Sequence, residues 1–248
     1  MKHNHPLLGV LGGLGPMSTV YFCELLTART KALTDADHID MLISSRATTP
    51  DRTAYILGNS QKDPLPVMQE EARRLERAGA TLLVIPCNTA HYFYQGLQNA
   101  VKIPMLNIIE ETLAHLSRIN TRCFGLLSTE GTARAGAYHT RCAQYGMECL
   151  LPTEKEQAVI SSIIYNDIKQ NKPVDMDRFY AVADALRARG CEKLVLGCTE
   201  LSLLKKSGLD DSLFVDSLEV LAYRTILACE KTPIGFPADF DADTEADR

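Results

Sequence analysis

The chain has 248 residues, 46% of them hydrophobic and 23% charged, with 26 Lys and Arg against 31 Asp and Glu for a formal charge of −5. That mixture describes two modest packed domains or one large one and excludes a disordered chain, while the negative balance disfavours nucleic acid and anionic lipid as partners. No run approaches the roughly 20 apolar residues of a bilayer span, and the opening MKHNHPLLGVLGGLGP is too broken by glycine, with no small-residue cleavage site, to serve as a secretory signal, so a cytoplasmic location is expected.

Apolar runs of strand length alternate with helix-like segments along the chain. Residues 7–11 read as a strand, 18–33 as a helix, 40–44 as a strand, 66–78 as a helix, 82–85 as a strand and 90–100 as a helix. Hydrophobicity in these strands is continuous, as in a parallel sheet covered on both faces. Pro104 interrupts the pattern, and 104–121 is expected to carry the chain across to a second half. There 123–127 reads as a strand, 133–145, 156–169 and 176–189 as helices, and 194–196 as a strand. Residues 213–234 form a closing segment, a C-terminal helix is expected to pack back onto the first unit, and the acidic, turn-rich 235–248 is expected to fray.

The two halves share a pattern. Set beside each other, LERAGATLLVIPCNTA from Leu75 and LRARGCEKLVLGCTEL from Leu186 place a Leu 12 positions before a cysteine in both cases (87 − 75 and 198 − 186). Gly9 opens GVLGGLGP 78 positions before Cys87 (87 − 9), and Gly125 opens GLLSTEGT 73 before Cys198 (198 − 125). Two anchors at nearly equal separation indicate a duplicated unit. The fold class expected is α/β, with two pseudo-symmetric parallel-sheet domains, 1–103 with Cys87 and 122–212 with Cys198, and the active site in the cleft between them.

Eight cysteines, at 23, 87, 123, 142, 149, 191, 198 and 229, include no CxxC pair and are read as reduced thiols. A single cysteine at a strand end is ordinarily core filling. Cys87 in VIPCNTAHY and Cys198 in VLGCTELSL differ because they recur at equivalent strand ends, where open parallel sheets bind ligands. A helix start after each thiol is expected to lower its pKa. Two acid–base groups on opposite faces of a carbon are what racemisation requires, since one removes the α-hydrogen and the other supplies a proton from behind.

With GVLGGLGP, PDRTAYILG, PCNTAHYF, IPMLNIIEET, GLLSTEGT and LGCTEL, spread from residue 9 to residue 201, the chain resembles the aspartate/glutamate racemase family in its aspartate racemase branch. The resemblance implies Cys87 and Cys198 as the acid–base pair, no pyridoxal phosphate or metal, an acidic amino acid as substrate, and a homodimer. It also implies that Lys169 contacts the distal carboxylate of the substrate and Thr132 the α-carboxylate. Asn88, Thr89 and Thr199 follow the thiols and are expected both to cap helices and to bind the substrate. Arg52 offers a fork suited to a carboxylate. Leu14 and Gly15 lie in a turn whose amides can approach a ligand; GGLGP lacks the Lys-Ser/Thr ending of a phosphate loop, so closure on an amino acid is favoured over phosphate binding.

Glu200 stands where glutamate racemases of cell-wall synthesis typically carry His, and either assists Cys198 or supports its loop. His91, one helical turn after Cys87, is expected to touch that loop from behind. The same scaffold serves maleate isomerases, hydantoin racemases and arylmalonate decarboxylases, and a non-catalytic acidic amino-acid binding protein is the alternative outside catalysis.

Overall fold

The computed structural model describes residues 5–209 and 212–240. The first half runs β1 (Leu8–Gly12), α1 (Pro16–Ala28), β2 (Met41–Ser45), α2 (Arg52–Ile56), α3 (Leu65–Arg77), β3 (Leu82–Val84), α4 (Tyr94–Gln98) and α5 (Ile108–Arg118). The second runs β4 (Cys123–Leu127), α6 (Glu130–Arg134), α7 (His139–Cys142), β5 (Glu148–Leu150), α8 (Glu154–Ser162), α9 (Met176–Ala188), β6 (Lys193–Leu196), β7 (Phe214–Asp216) and α10 (Ser217–Ala228).

Two parallel sheets result, ordered β2-β1-β3 and β5-β4-β6-β7. An isolated parallel bridge from Leu83 to Met105 gives the first sheet a rudimentary fourth position, where the second has β7. The correspondence continues into the helices that follow. Asn107 caps α5 by accepting from the amides of Ile109 and Glu110, and Asp216 caps α10 by accepting from Leu218. These two helices pack against each other, and one apolar core runs through both halves, joining Val10 and Val84 to Leu126 and Val195 by way of Ile109, Leu113, Leu221 and Ile226. Separate clusters cover the outer faces, Met68, Leu75 and Leu83 on the first sheet and Ile163, Phe179 and Leu194 on the second. The two-unit α/β architecture is thus as expected.

Several segments depart from their sequence pattern. The helix expected over 18–33 begins at Pro16, whose missing amide costs nothing in the first turn, and ends at Ala28, after which Thr30 bridges Pro233. Residues 133–145 form no continuous helix because Gly136 takes a left-handed φ of 67° between α6 and α7. The helix expected over 156–169 starts earlier, on a capping box of Thr153 and Glu156, and unwinds into a π turn at Ile163–Asp167 and a 3-10 turn at Ile168–Gln170. After Cys87 comes a 3-10 turn, Thr89–Phe93, and only then α4.

The stretch expected as a crossover, 104–121, contains α5, and the closing segment 213–234 contains β7 and α10. The tail expected to fray begins instead with an anchored piece. Phe236 meets Tyr223 edge-on and Phe240 meets it at a tilt, with ring centroids 5.1 Å away in each case, and the Phe240 centroid lies 4.4 Å from that of His115. Aromatic burial outweighs the polar composition there. The remainder of that expectation, 241–248, lies outside the described residues. Among the described residues no helix is long and apolar enough to cross a membrane.

Candidate functional site

Cys87 and Cys198 follow β3 and β6 at the carboxyl ends of their sheets, and both line one nearly closed cavity of about 10 Å³ between the halves, room for about one water molecule. Leu14, Arg52, Asn88, Thr89, Lys169, Thr199 and Glu200 line it too. Thr132 stands just behind, its hydroxyl 2.9 Å from that of Thr89 and 3.1 Å from that of Thr129. All eight cysteines are free thiols. Among the described residues no group of three or more His, Cys, Asp or Glu is placed to hold a metal ion.

Bonds between the halves set the geometry of the pocket. The Thr199 hydroxyl donates to the Pro86 carbonyl at 3.1 Å, so the residue after one thiol holds the residue before the other. The Asn88 side chain accepts from Tyr138 at 2.7 Å and donates to Ser217 at 2.9 Å, while Ser217 donates to the Leu196 carbonyl at 2.7 Å. The caps expected of Asn88 and Thr199 are therefore not formed by their side chains; long-range partners have taken those groups. Thr89 shares its hydroxyl with Thr129 and Thr132 in a buried triangle rather than with its own turn.

Arg52 sits in the first turn of α2, not in a free loop, and is only 7% exposed. Its guanidinium donates to the carbonyl of Leu14 at 2.7 Å and that of Pro50 at 3.0 Å, leaving Nε buried without a partner. Among the described residues no carboxylate forms an ion pair with it, and three backbone carbonyls hold it at the wall of the pocket. Lys169 extends from the 3-10 turn to within 3.3 Å of Glu200 Oε1 and lies 5.0 Å from the centroid of the Tyr165 ring. Burial by itself would lower its pKa, but Glu200, both thiols and Tyr165 reverse the balance and hold it charged.

The thiols are not depressed as the helix starts led us to expect. Burial pushes both upward. Around Cys87 the Arg52 guanidinium opposes that rise. Around Cys198 the Glu200 carboxylate reinforces it, accepting a hydrogen bond from Sγ at 3.0 Å, and the pKa goes well above the ordinary thiol value. Desolvation prevails because each thiol is followed by a tight turn in a nearly closed pocket rather than by a regular helix with aligned amides.

Glu200 owes its position to Gly15, where a Cβ would fall 2.3 Å from Oε1. In the turn around Gly15 the Gly13 amide donates to Thr19 Oγ1 at 2.9 Å and the Leu14 carbonyl accepts from Arg52 at 2.7 Å. His91 lies outside the pocket, with Nδ1 2.8 Å from the Cys87 carbonyl and Nε2 receiving the Ile108 amide at 3.3 Å. Burial pulls its pKa down to about 4, so it is a neutral strut with its proton on Nδ1.

Asp51, Thr53, Thr129 and Tyr165 also line the pocket and were not singled out from sequence. Thr129 and Tyr165 lie within or beside the stretches containing Thr132 and Lys169, yet only the fold turns them inward. Thr53 meets Gly131 so closely that a Cβ there would sit 2.7 Å from its hydroxyl, which brings α2 against α6 over the cleft.

Two parallel α/β units with a pocket between them are the fold of the racemase class. The chain belongs to the Asp/Glu/Hydantoin racemase family, whose profile matches residues 11–225. It is 28% identical over 227 residues to the broad specificity amino-acid racemase RacX of Bacillus subtilis (strain 168), covering 89% of this chain and 96% of that protein. The aspartate racemase of Picrophilus torridus superposes with a TM-score of 0.83 at 26% identity, over 96% of this chain and 98% of the other. Glutamate racemase from Francisella tularensis in complex with D-glutamate matches with a TM-score of 0.63 at 17% identity, over 98% and 93%, a likeness of fold alone.

Proposed function

We propose that the protein interconverts the enantiomers of an acidic amino acid, aspartate foremost and glutamate as the alternative, by direct proton transfer between the α-carbon and two thiols, without pyridoxal phosphate or metal. The observation that carries this reading is that Cys87 and Cys198, from equivalent strand ends of two similar halves, line one pocket. One thiolate and one thiol suffice. The thiolate takes the α-proton, the thiol delivers its own to the opposite face, and the two have exchanged protonation states when the product leaves.

The charges around the thiols favour one starting arrangement. Arg52 stabilises an anion at Cys87, whereas Glu200 keeps the proton on Cys198. Arg52 and Lys169 are the groups for the distal carboxylate. The Thr89 and Thr132 hydroxyls, with the amides at Asn88 and Thr199, are assigned to the α-carboxylate, where negative charge grows as the carbanion forms. A pocket this small excludes bulk water once filled, which strengthens every such interaction. Leu14 closes one wall, Gly15 leaves room for Glu200, and His91 braces the loop of Cys87.

The same reading makes the protein a homodimeric cytoplasmic enzyme with the amino acid as its partner, and its net negative charge supports no role for nucleic acid or membrane. The test is incubation with L-aspartate, L-glutamate and a set of neutral amino acids in deuterated water without added cofactor, following α-proton exchange and chirality together. Exchange with inversion of an acidic amino acid is expected. Neither exchange nor inversion of any acidic amino acid overturns the reading, and preferential turnover of neutral ones moves the substrate class toward that of the Bacillus relative.

A further inference from the structure

The two thiols differ in one respect that racemisation alone does not need: only Cys198 has a carboxylate beside it. Glu200 is 6% exposed, receives the Cys198 thiol at Oε2 at 3.0 Å, and turns Oε1 away toward Lys169 at 3.3 Å and the backbone of Gly15. On that far side lies a second, open groove of about 330 Å³, lined by Met17, Ser18, Lys169, Asn171, Glu200 and Leu203. Lys169 and Glu200 therefore form the partition between the candidate site and the groove. Ser18 Oγ, fully buried and without a hydrogen-bond partner, borders the same space beside Gly15 that Glu200 Oε1 enters. Met17 at the groove is 52% exposed, so the mouth of the groove reaches solvent, while Glu200 Oε1 at its inner wall is buried and has no hydrogen-bond partner. Among the described residues Arg52, Glu200 and Lys169 act on Cys87 electrostatically, and the Ala90 amide donates to its sulfur.

We infer that Glu200 is a proton conduit which joins Cys198, and not Cys87, to water in the groove behind α1 while substrate fills the pocket. The inference rests on the two-thiol racemase reading. Once Cys198 has taken an α-proton, its S–H bond breaks as an O–H bond forms on Glu200 Oε2, which regenerates the thiolate and leaves a neutral carboxylic acid. The carboxyl group then turns so that its protonated oxygen faces the groove, gives that proton to a water entering there and becomes a carboxylate again; a solvent proton returns by the reverse route. Cys87 must hold the proton it abstracts until it hands it back or the product departs. Lys169 tunes the conduit: a substrate carboxylate that draws its ammonium away from Oε1 leaves Glu200 less neutralised and a stronger base.

The consequence is an isotopic asymmetry between enantiomers. In deuterated water the enantiomer deprotonated by Cys198 exchanges its α-hydrogen with retention several-fold faster than it inverts. Its mirror image exchanges no faster than it inverts. L- and D-aspartate are incubated separately with the full-length protein, and deuterium in the unreacted enantiomer is measured against product formed. Glu200→Gln, which keeps the shape beside Gly15, is expected to bring the larger ratio down to that of the other enantiomer. Met17→Trp, which narrows the groove without touching either thiol, is expected to reduce the larger ratio while inversion continues. Inversion with equal ratios for both enantiomers in the unmodified protein overturns the conduit and leaves the racemase reading intact, as does an excess that survives Glu200→Gln. Absence of any inversion of aspartate and of glutamate removes the racemase reading, and the conduit with it.

Discussion

The hydroxyl of Thr199 donates to the carbonyl of Pro86 at 3.1 Å, a bond between residues 113 positions apart that ties the loop of one thiol to the loop of the other. Thr199→Val keeps the volume and removes the donor. A buried carbonyl left unpaired costs roughly 1–3 kcal/mol, to be read as a lowered denaturation midpoint. Because the bond sets the relation between the thiols, kcat is expected to fall further than the stability loss alone implies, and Thr199→Ser to restore most of both. Unchanged kcat in Thr199→Val would mean that the halves keep their spacing by other contacts.

Removing either thiol is the direct test of the two-base scheme. Cys87→Ser and Cys198→Ser are each expected to reduce racemisation at least about 100-fold, the lower range for loss of an acid–base group, while aspartate binding stays measurable by calorimetry. Full activity in either variant refutes the assignment.

The pH profile follows from the signs of the thiol shifts. Both folded-state pKa values lie above the ordinary thiol value, Cys198 well above it, so the form with one thiolate and one thiol is populated only as pH rises toward and past that value. For the free enzyme kcat/KM is expected to rise through the alkaline range and to fall only when the second thiol ionises. Iodoacetamide labelling followed by peptide mapping should find Cys87 reacting at lower pH than Cys198. Equal labelling profiles contradict the roles assigned to Arg52 and Glu200.

Gly15 tests the position of Glu200 without altering its charge. A methyl group at residue 15 meets only the flexible end of Glu200, at 2.3 Å, so Gly15→Ala should fold with a stability change of about 1 kcal/mol or less. Its effect is expected in catalysis, as a fall of about tenfold or more in kcat with the carboxylate displaced from Cys198. Unaltered kcat would show that Glu200 readjusts freely.

Asp216, the cap of α10, provides a stability test away from the thiols. Burial, with repulsion from Glu219, raises its pKa to about 7, opposed by hydrogen bonds from Ser202 at 2.6 Å and the Leu218 amide. The folded value exceeds the unfolded one of about 3.9, so this contribution is complete below pH of about 4 and is lost as pH rises to about 7. Asp216→Asn can still cap the helix. It is expected to be more stable than the parent at pH 8 and to lose less stability between pH 5 and pH 8, by on the order of 1 kcal/mol or more. Parallel urea-midpoint curves across that range would show that Asp216 is charged throughout.

Continuous apolar strands, the alternation with helices and the duplicated Leu-Gly-Cys spacing are short-range patterns, and they were enough to read two similar parallel α/β units with a thiol at the end of a central strand in each. The short strands β5 and β7 escaped because each holds only two consecutive apolar residues beside an acidic one, and α5 because 104–121 reads as a connection; the C-terminal helix expected to pack back onto the first unit is α10, which packs on α1 and α5. The break at Gly136 and the anchoring of Phe236 and Phe240 depend on what the surrounding fold supplies. Thus the pair Cys87 and Cys198, with Arg52 and Lys169 as candidate cations, was legible from the chain alone. Their electrostatics were not. Whether a thiol is raised or lowered depends on burial and on partners far along the chain, and only the tertiary structure sets Arg52 near Cys87 and places Glu200 between Cys198, Lys169 and Gly15.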